Sequence, residues 1–73
     1  MELGERIAGW RAWKGLTRRQ LAMSLGVTAP AVYQWEDGTT MPSLTHLEKF
    51  VLEILEISME RFYGRVPRAK AAS

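Results

Sequence analysis

The sequence predicts an all-α domain of five helices. Three observations carry that expectation. Apolar residues recur at intervals of three and four along most of the chain. Serine or threonine precedes helix-length runs and glycine follows several of them. No stretch alternates apolar and polar residues as a half-buried strand does. The 73 residues hold one small domain, near the lower limit at which a core suffices alone. Economical helix packing and stabilisation by dimerisation are therefore both expected.

The first helix carries Leu3, Ile7, Trp10, Arg11 and Lys14 at helical spacing, and Gly15 ends it. Thr17 to Gln20 reads T-x-x-Q, a capping box in which hydroxyl and amide each take an orphan backbone N–H. The second helix follows, with Leu21, Ala22 and Leu25 inward and Gly26 as its left-handed stop. Thr28 caps a third helix. Its Pro30 lies in the first turn, where a missing N–H has no intrahelical acceptor to lose. Asp37-Gly38 breaks this helix, and Thr39 to Pro42 forms a loop. Ser43 caps the fourth helix, whose Leu44, Leu47, Phe50, Val51, Ile54 and Leu55 form an apolar stripe. Ser58 opens a short last turn, Met59 to Tyr63, ahead of Gly64. A domain over residues 1–64 and a flexible basic tail over residues 65–73, RVPRAKAAS, are expected.

Composition removes several classes of function. Cysteine is absent and His46 is the single histidine, so neither a disulfide frame nor a protein-derived zinc site is expected. There is no glycine-rich phosphate loop and no recognisable catalytic pairing of carboxylates, so an enzyme is not expected, nor any cofactor. His46 is expected on the surface. With no apolar run long enough to span a bilayer and no leader pattern, a cytoplasmic protein with no membrane partner is expected. The net charge of +2 is small, but its distribution is not even. Arg6, Arg11, Lys14, Arg18 and Arg19 face only Glu2 and Glu5 up to Trp35. From Glu36 to Glu60 acids dominate, and Arg61, Arg65, Arg68 and Lys70 make the end basic again. Such a segregation suits a protein that turns one face to a polyanion.

The second and third helices, joined by about four residues around a glycine, have the form of a helix-turn-helix. Within "LTRRQLAMSLGVTAPAVYQWEDGTTMPSLTHLEKF", the residues Leu16-Thr17, Gln20-Leu21-Ala22, Leu25-Gly26-Val27-Thr28, Val32, Trp35-Glu36, Gly38, Pro42-Ser43-Leu44 and Leu47 stand in register. On these residues the chain resembles the lambda-repressor/Cro superfamily of DNA-binding domains, the xenobiotic-response-element type of bacterial and phage regulators. The resemblance covers roughly residues 3 to 63. A lone helix-turn-helix pattern is unspecific, whereas this many anchors in register are specific.

The resemblance implies that helix 28–36 enters the major groove of double-stranded DNA. Ala29, Pro30 and Gln34 then face bases, with Thr28 and Tyr33 beside them. Gln34 carries the donor and acceptor for adenine N6 and N7, a pairing that discriminates by about 1–3 kcal/mol, and Ala29 and Pro30 offer apolar contact to a thymine methyl. Val32 and Trp35 hold the helix from behind. Phosphate contacts are expected from Thr17, Arg18, Arg19 and Gln20 at a helix N-terminus, and from Thr39 and Thr40. Asp37 departs from the family, where many relatives carry a basic or neutral residue near the backbone. Arg11 and Glu36 are expected to form a partly buried structural ion pair.

The resemblance further implies a homodimer, at least on DNA, with Leu52, Leu55, Met59 and Phe62 as candidates for a symmetric contact. Trp13, Met23, Leu52 and Ile57 are surplus to the expected core faces. Between Leu47 and Ser58 the chain is one residue longer than the family pattern, and Leu55-Glu56 stands where a glycine often ends the fourth helix. The expected function is a sequence-specific transcriptional regulator, a repressor of the Cro or antitoxin kind, the latter with a toxin as protein partner. The competing expectation is a protein-interaction module whose helix-turn-helix no longer reads DNA, suggested by Ala29, Pro30 and Asp37. No separate sensor domain is expected within 73 residues, so a signal would act through concentration, proteolysis or a partner.

Overall fold

A computed structural model describes residues 1–68. It is all-helical, with α1 at Leu3–Lys14, α2 at Arg18–Leu25, α3 at Ala29–Asp37, α4 at Leu44–Glu48 and α5 at Met59–Phe62. A π-helical segment, Lys49–Ile54, continues α4. Among the described residues there is no strand, and no helix is long and apolar enough to cross a membrane.

Local chemistry sets most boundaries. Glu2 and Glu5 close a capping box on α1, and Thr17 and Gln20 close one on α2. Thr28, Ser43 and Ser58 each accept a backbone N–H from three residues on, at the starts of α3, α4 and α5. Gly26, at φ 72°, makes the left-handed turn between α2 and α3 that a Cβ would oppose.

The core gathers Ile7 and Trp10 of α1, Leu21, Ala22 and Leu25 of α2, and Val32 and Trp35 of α3. Leu47, Phe50, Val51, Leu55 and Phe62 complete it. Each large apolar side chain so buried contributes about 1.5–3 kcal/mol, which is how so short a chain sustains a fold. Trp13 lies half-buried, edge-on to Trp10 at 5.2 Å between ring centres.

The π-helical segment accounts for the extra residue in the fourth helix. A turn closed by an i→i+5 hydrogen bond holds one residue more than an α-turn. The Leu55 N–H reaches Phe50 O in this way at 2.8 Å, and past the end of the segment Ile57 N–H reaches back six residues to Val51 O at 3.2 Å. Phe50, Val51 and Leu55 thereby all stay on the core side. Two residues past the segment stands Glu56, a non-glycine residue at φ 57°, where the family pattern often has glycine.

This arrangement corrects the expected dimer surface. Leu55 is 2% exposed and Phe62 0%, so both belong to the monomer's own core and cannot also meet a second copy. Met59 is half-buried against that core, and of the four candidates Leu52 is exposed. Phe62 is held further through its backbone. Its carbonyl accepts Trp10 Nε1–H at 3.0 Å and Arg6 Nη1–H at 2.8 Å. Arg6 also donates to Gly64 O. Val66 is half-buried, with its side chain against Gly9, so the packed part of the chain extends past residue 64. Residues 69–73 of the expected tail lie outside the described residues.

Candidate nucleic-acid interface

α3 has two faces because its apolar residues fall three apart. Val32 is 0% and Trp35 7% exposed, turned toward α1 and α2. The Trp35 indole also meets the His46 ring at 5.9 Å, so His46 is half-buried rather than a surface side chain. On the other side Pro30, Tyr33 and Gln34 are exposed. Pro30 occupies the first turn, where it has no hydrogen bond to break. Ala29 is only half-open, because it also packs against the core. Thr28 is exposed, and its Oγ1 accepts Ala31 N–H at 3.3 Å, which leaves its hydroxyl proton to donate outward.

The N-terminus of α2 stands beside this face. Thr17 Oγ1 accepts Gln20 N–H at 3.0 Å, and Gln20 Oε1 accepts Thr17 N–H at 2.8 Å. The hydroxyl proton and the amide NH2 remain available to an anion. Arg19 is exposed and makes no ion pair among the described residues. An open groove of about 440 Å³ runs between the two helices, lined by Arg11, Thr17, Arg18, Arg19, Ala29 and Tyr33.

Glu36 collects two arginines. Arg11 donates from Nε to Oε2 at 2.6 Å and from Nη2 to Oε1 at 3.1 Å. Arg18 donates from Nε to Oε1 at 2.9 Å. The Glu36 side chain is 6% exposed, so these donors replace the water it has lost. Arg18 also lies over the Tyr33 ring, 4.4 Å from its centre. The Glu36 carboxylate, and after it Tyr33, raises the Arg18 pKa above its ordinary value. Sequence reasoning assigned Arg18 to phosphate and missed both partners. A basic residue at a helix start carries no mark of which distant side chains it will meet.

At the far end of α3, Thr39 is tied to Asp37. Its hydroxyl and its N–H both donate to Asp37 Oδ1, and the N–H also reaches Gln34 O at 2.9 Å. The hydroxyl proton is thus already engaged. These donors hold the Asp37 carboxyl below the usual carboxylate range, the hydroxyl contributing most. Thr40 is exposed. Among the described residues no cluster of His, Cys, Asp or Glu is placed to hold a metal ion.

Comparison with known proteins agrees with this geometry. Residues 2–52 match the model of a helix-turn-helix domain. The chain is 32% identical over 60 residues to an uncharacterized HTH-type transcriptional regulator of Archaeoglobus fulgidus, covering 82% of this chain and 26% of the relative. It is 31% identical over 65 residues to the cryptic phage CTXphi transcriptional repressor RstR of Vibrio cholerae, covering 89% of this chain and 57% of the repressor. It therefore spans less than two thirds of either relative. Among solved structures it is similar to the master regulator for biofilm formation SinR, crystallised in complex with DNA. The TM-score is 0.72 at 28% identity, over 86% of this chain and 100% of that one. The chain belongs to the helix-turn-helix domain family, in its lambda-repressor/Cro-like form.

Proposed function

We propose that this domain binds double-stranded DNA sequence-specifically and represses transcription by occupying an operator, as a cytoplasmic regulator that performs no chemistry of its own. The supporting observation is the division of α3 into a buried Val32/Trp35 side and a bare Pro30/Tyr33/Gln34 side. A helix held rigidly from behind, with its N-terminal half open, is what major-groove readout requires. Thr28, Ala29, Pro30, Tyr33 and Gln34 face the bases in this reading, and Thr17, Arg19, Gln20 and Thr40 the sugar-phosphate. The domain measures 28 × 27 × 22 Å. Two copies side by side then suit half-sites about one helical turn, ~34 Å, apart. Leu52 and the open part of Met59 are the residues left for such a homodimer. A toxin-like protein partner belongs to the antitoxin form of the same reading.

The test is selection from a randomised duplex pool, followed by anisotropy titration of the selected site over a range of salt. Enrichment of a two-fold symmetric sequence, with affinity falling steeply as salt rises, is expected. Failure to enrich any sequence, with equal binding to scrambled duplexes, would refute the proposal.

A further inference from the structure

Arg18 opens α2, and its charge suggests a phosphate contact. Its surroundings suggest another task. Nε is tied to Glu36 Oε1 at 2.9 Å, and Glu36 is itself fixed by Arg11 at 6% exposure. The tether is therefore a rigid carboxylate inside the α1–α3 contact, not a mobile surface acid. From this tether the guanidinium carbon lies over the Tyr33 ring, 4.4 Å from its centre. Tyr33 is 53% exposed and lies one helical turn after Ala29, beside Gln34. Without a neighbour, an exposed phenol on a helix samples several rotamers and must be ordered when it meets DNA.

Building on the DNA-binding reading above, we propose that Arg18 is a positioning residue. Tethered to Glu36, it stacks on Tyr33 and fixes the phenol against the groove, which makes Tyr33 a specificity-determining residue. A planar guanidinium can stack through its face while donating in its plane, and an ammonium cannot do both. With one ring face covered by Arg18, the Tyr33 edge and hydroxyl are what the duplex meets. Ordering one such side chain before binding is worth roughly a two- to tenfold gain in affinity.

The test has two arms. In the free protein, NMR is expected to show the Arg18 side-chain protons shifted by the Tyr33 ring current, an effect lost in Tyr33→Leu and in Arg18→Lys. On the selected duplex, Arg18→Lys should weaken binding about as much as Arg18→Met, by roughly two- to tenfold, and more than on scrambled DNA. The salt slope should hold, and Arg18→Met should add nothing in a Tyr33→Leu background. Rescue by Arg18→Lys overturns the proposal. So does an Arg18→Met variant whose losses are equal on both duplexes with a salt slope reduced by about one, the mark of a phosphate contact. Absence of the ring-current shift overturns it without touching the DNA reading. A wild type that selects no duplex overturns both, and the NMR arm then reports a stack with no part in recognition. Tyr33→Leu alters an exposed residue, so that arm stands even if an Arg18 variant unfolds.

Discussion

Arg11 and Glu36 join α1 to α3 through a two-pronged ion pair, Nε to Oε2 at 2.6 Å and Nη2 to Oε1 at 3.1 Å. Arg11 Nη1 also donates to Leu16 O at 2.8 Å, which adds the α1–α2 link to the same guanidinium. The Arg11 and Glu36 side chains are 13% and 6% exposed, so water cannot stand in for a lost partner. Glu36→Ala strands Arg11 and is expected to cost about 3–5 kcal/mol in urea unfolding. Replacing both with methionine should recover most of that, because no unpaired charge is then left inside. A loss under about 1 kcal/mol for Glu36→Ala, in the range of exposed ion pairs, would show that the pair is solvated in solution.

Glu56 holds a left-handed backbone, φ 57°, with only a loose 3.9 Å ion pair to Lys14 in return. Its side chain is 77% exposed, so that pair adds little. Glu56→Gly is expected to stabilise the domain by about 1 kcal/mol, read as a higher urea midpoint at unchanged slope. An unchanged or lower midpoint would contradict a strained helix end.

Two glycines of α1 should respond differently to a methyl group. A Cβ on Gly4 would lie less than 3.0 Å from the backbone carbonyl oxygens of Trp35 and Glu36. Backbone cannot swing aside, so Gly4→Ala must push α1 off α3, at about 1–3 kcal/mol. A Cβ on Gly9 meets the side chain of Val66 near the end of the described chain, which can yield. Gly9→Ala should be near neutral, since alanine also favours the helix by about 0.5–1 kcal/mol. Equal thermal shifts for the two variants would refute this contrast.

Asp37 links stability to acid. Thr39 holds its folded-state pKa below the unfolded value, so the stabilisation is present above the unfolded pKa and lost as pH falls through the folded one. Thr39→Val removes the hydroxyl donor and should move the Asp37 carboxyl titration upward toward the ordinary value, as followed by carboxyl carbon NMR. A titration unmoved by that change would place the cause elsewhere.

Gln34 is the polar amide on the bare side of α3. Gln34→Ala is expected to relax discrimination at one base pair of each half-site by about 1–3 kcal/mol, with little effect on scrambled DNA. Competition binding against single-base variants reads this directly, and uniform weakening at every position would assign Gln34 to the backbone instead.

Near-neighbour chemistry wrote much of this fold into the chain. The T-x-x-Q box at Thr17, the Thr28 cap with Pro30 behind it, and the inward faces of α2 and α3 all rest on residues three or four apart. Such spacings settle which atoms meet before any tertiary contact forms. The same periodicity placed Val32 and Trp35 behind Tyr33 and Gln34. Packing decided the rest. Phe62 enters the core because Trp10, 52 residues away, takes its carbonyl. Leu55 does so because a π-helical turn absorbs one extra residue. Arg18 meets Glu36, 18 residues on, only once α2 and α3 have docked. A charge in the sequence has no address, since Coulomb attraction is set by distance in space and that distance is fixed only when the helices close.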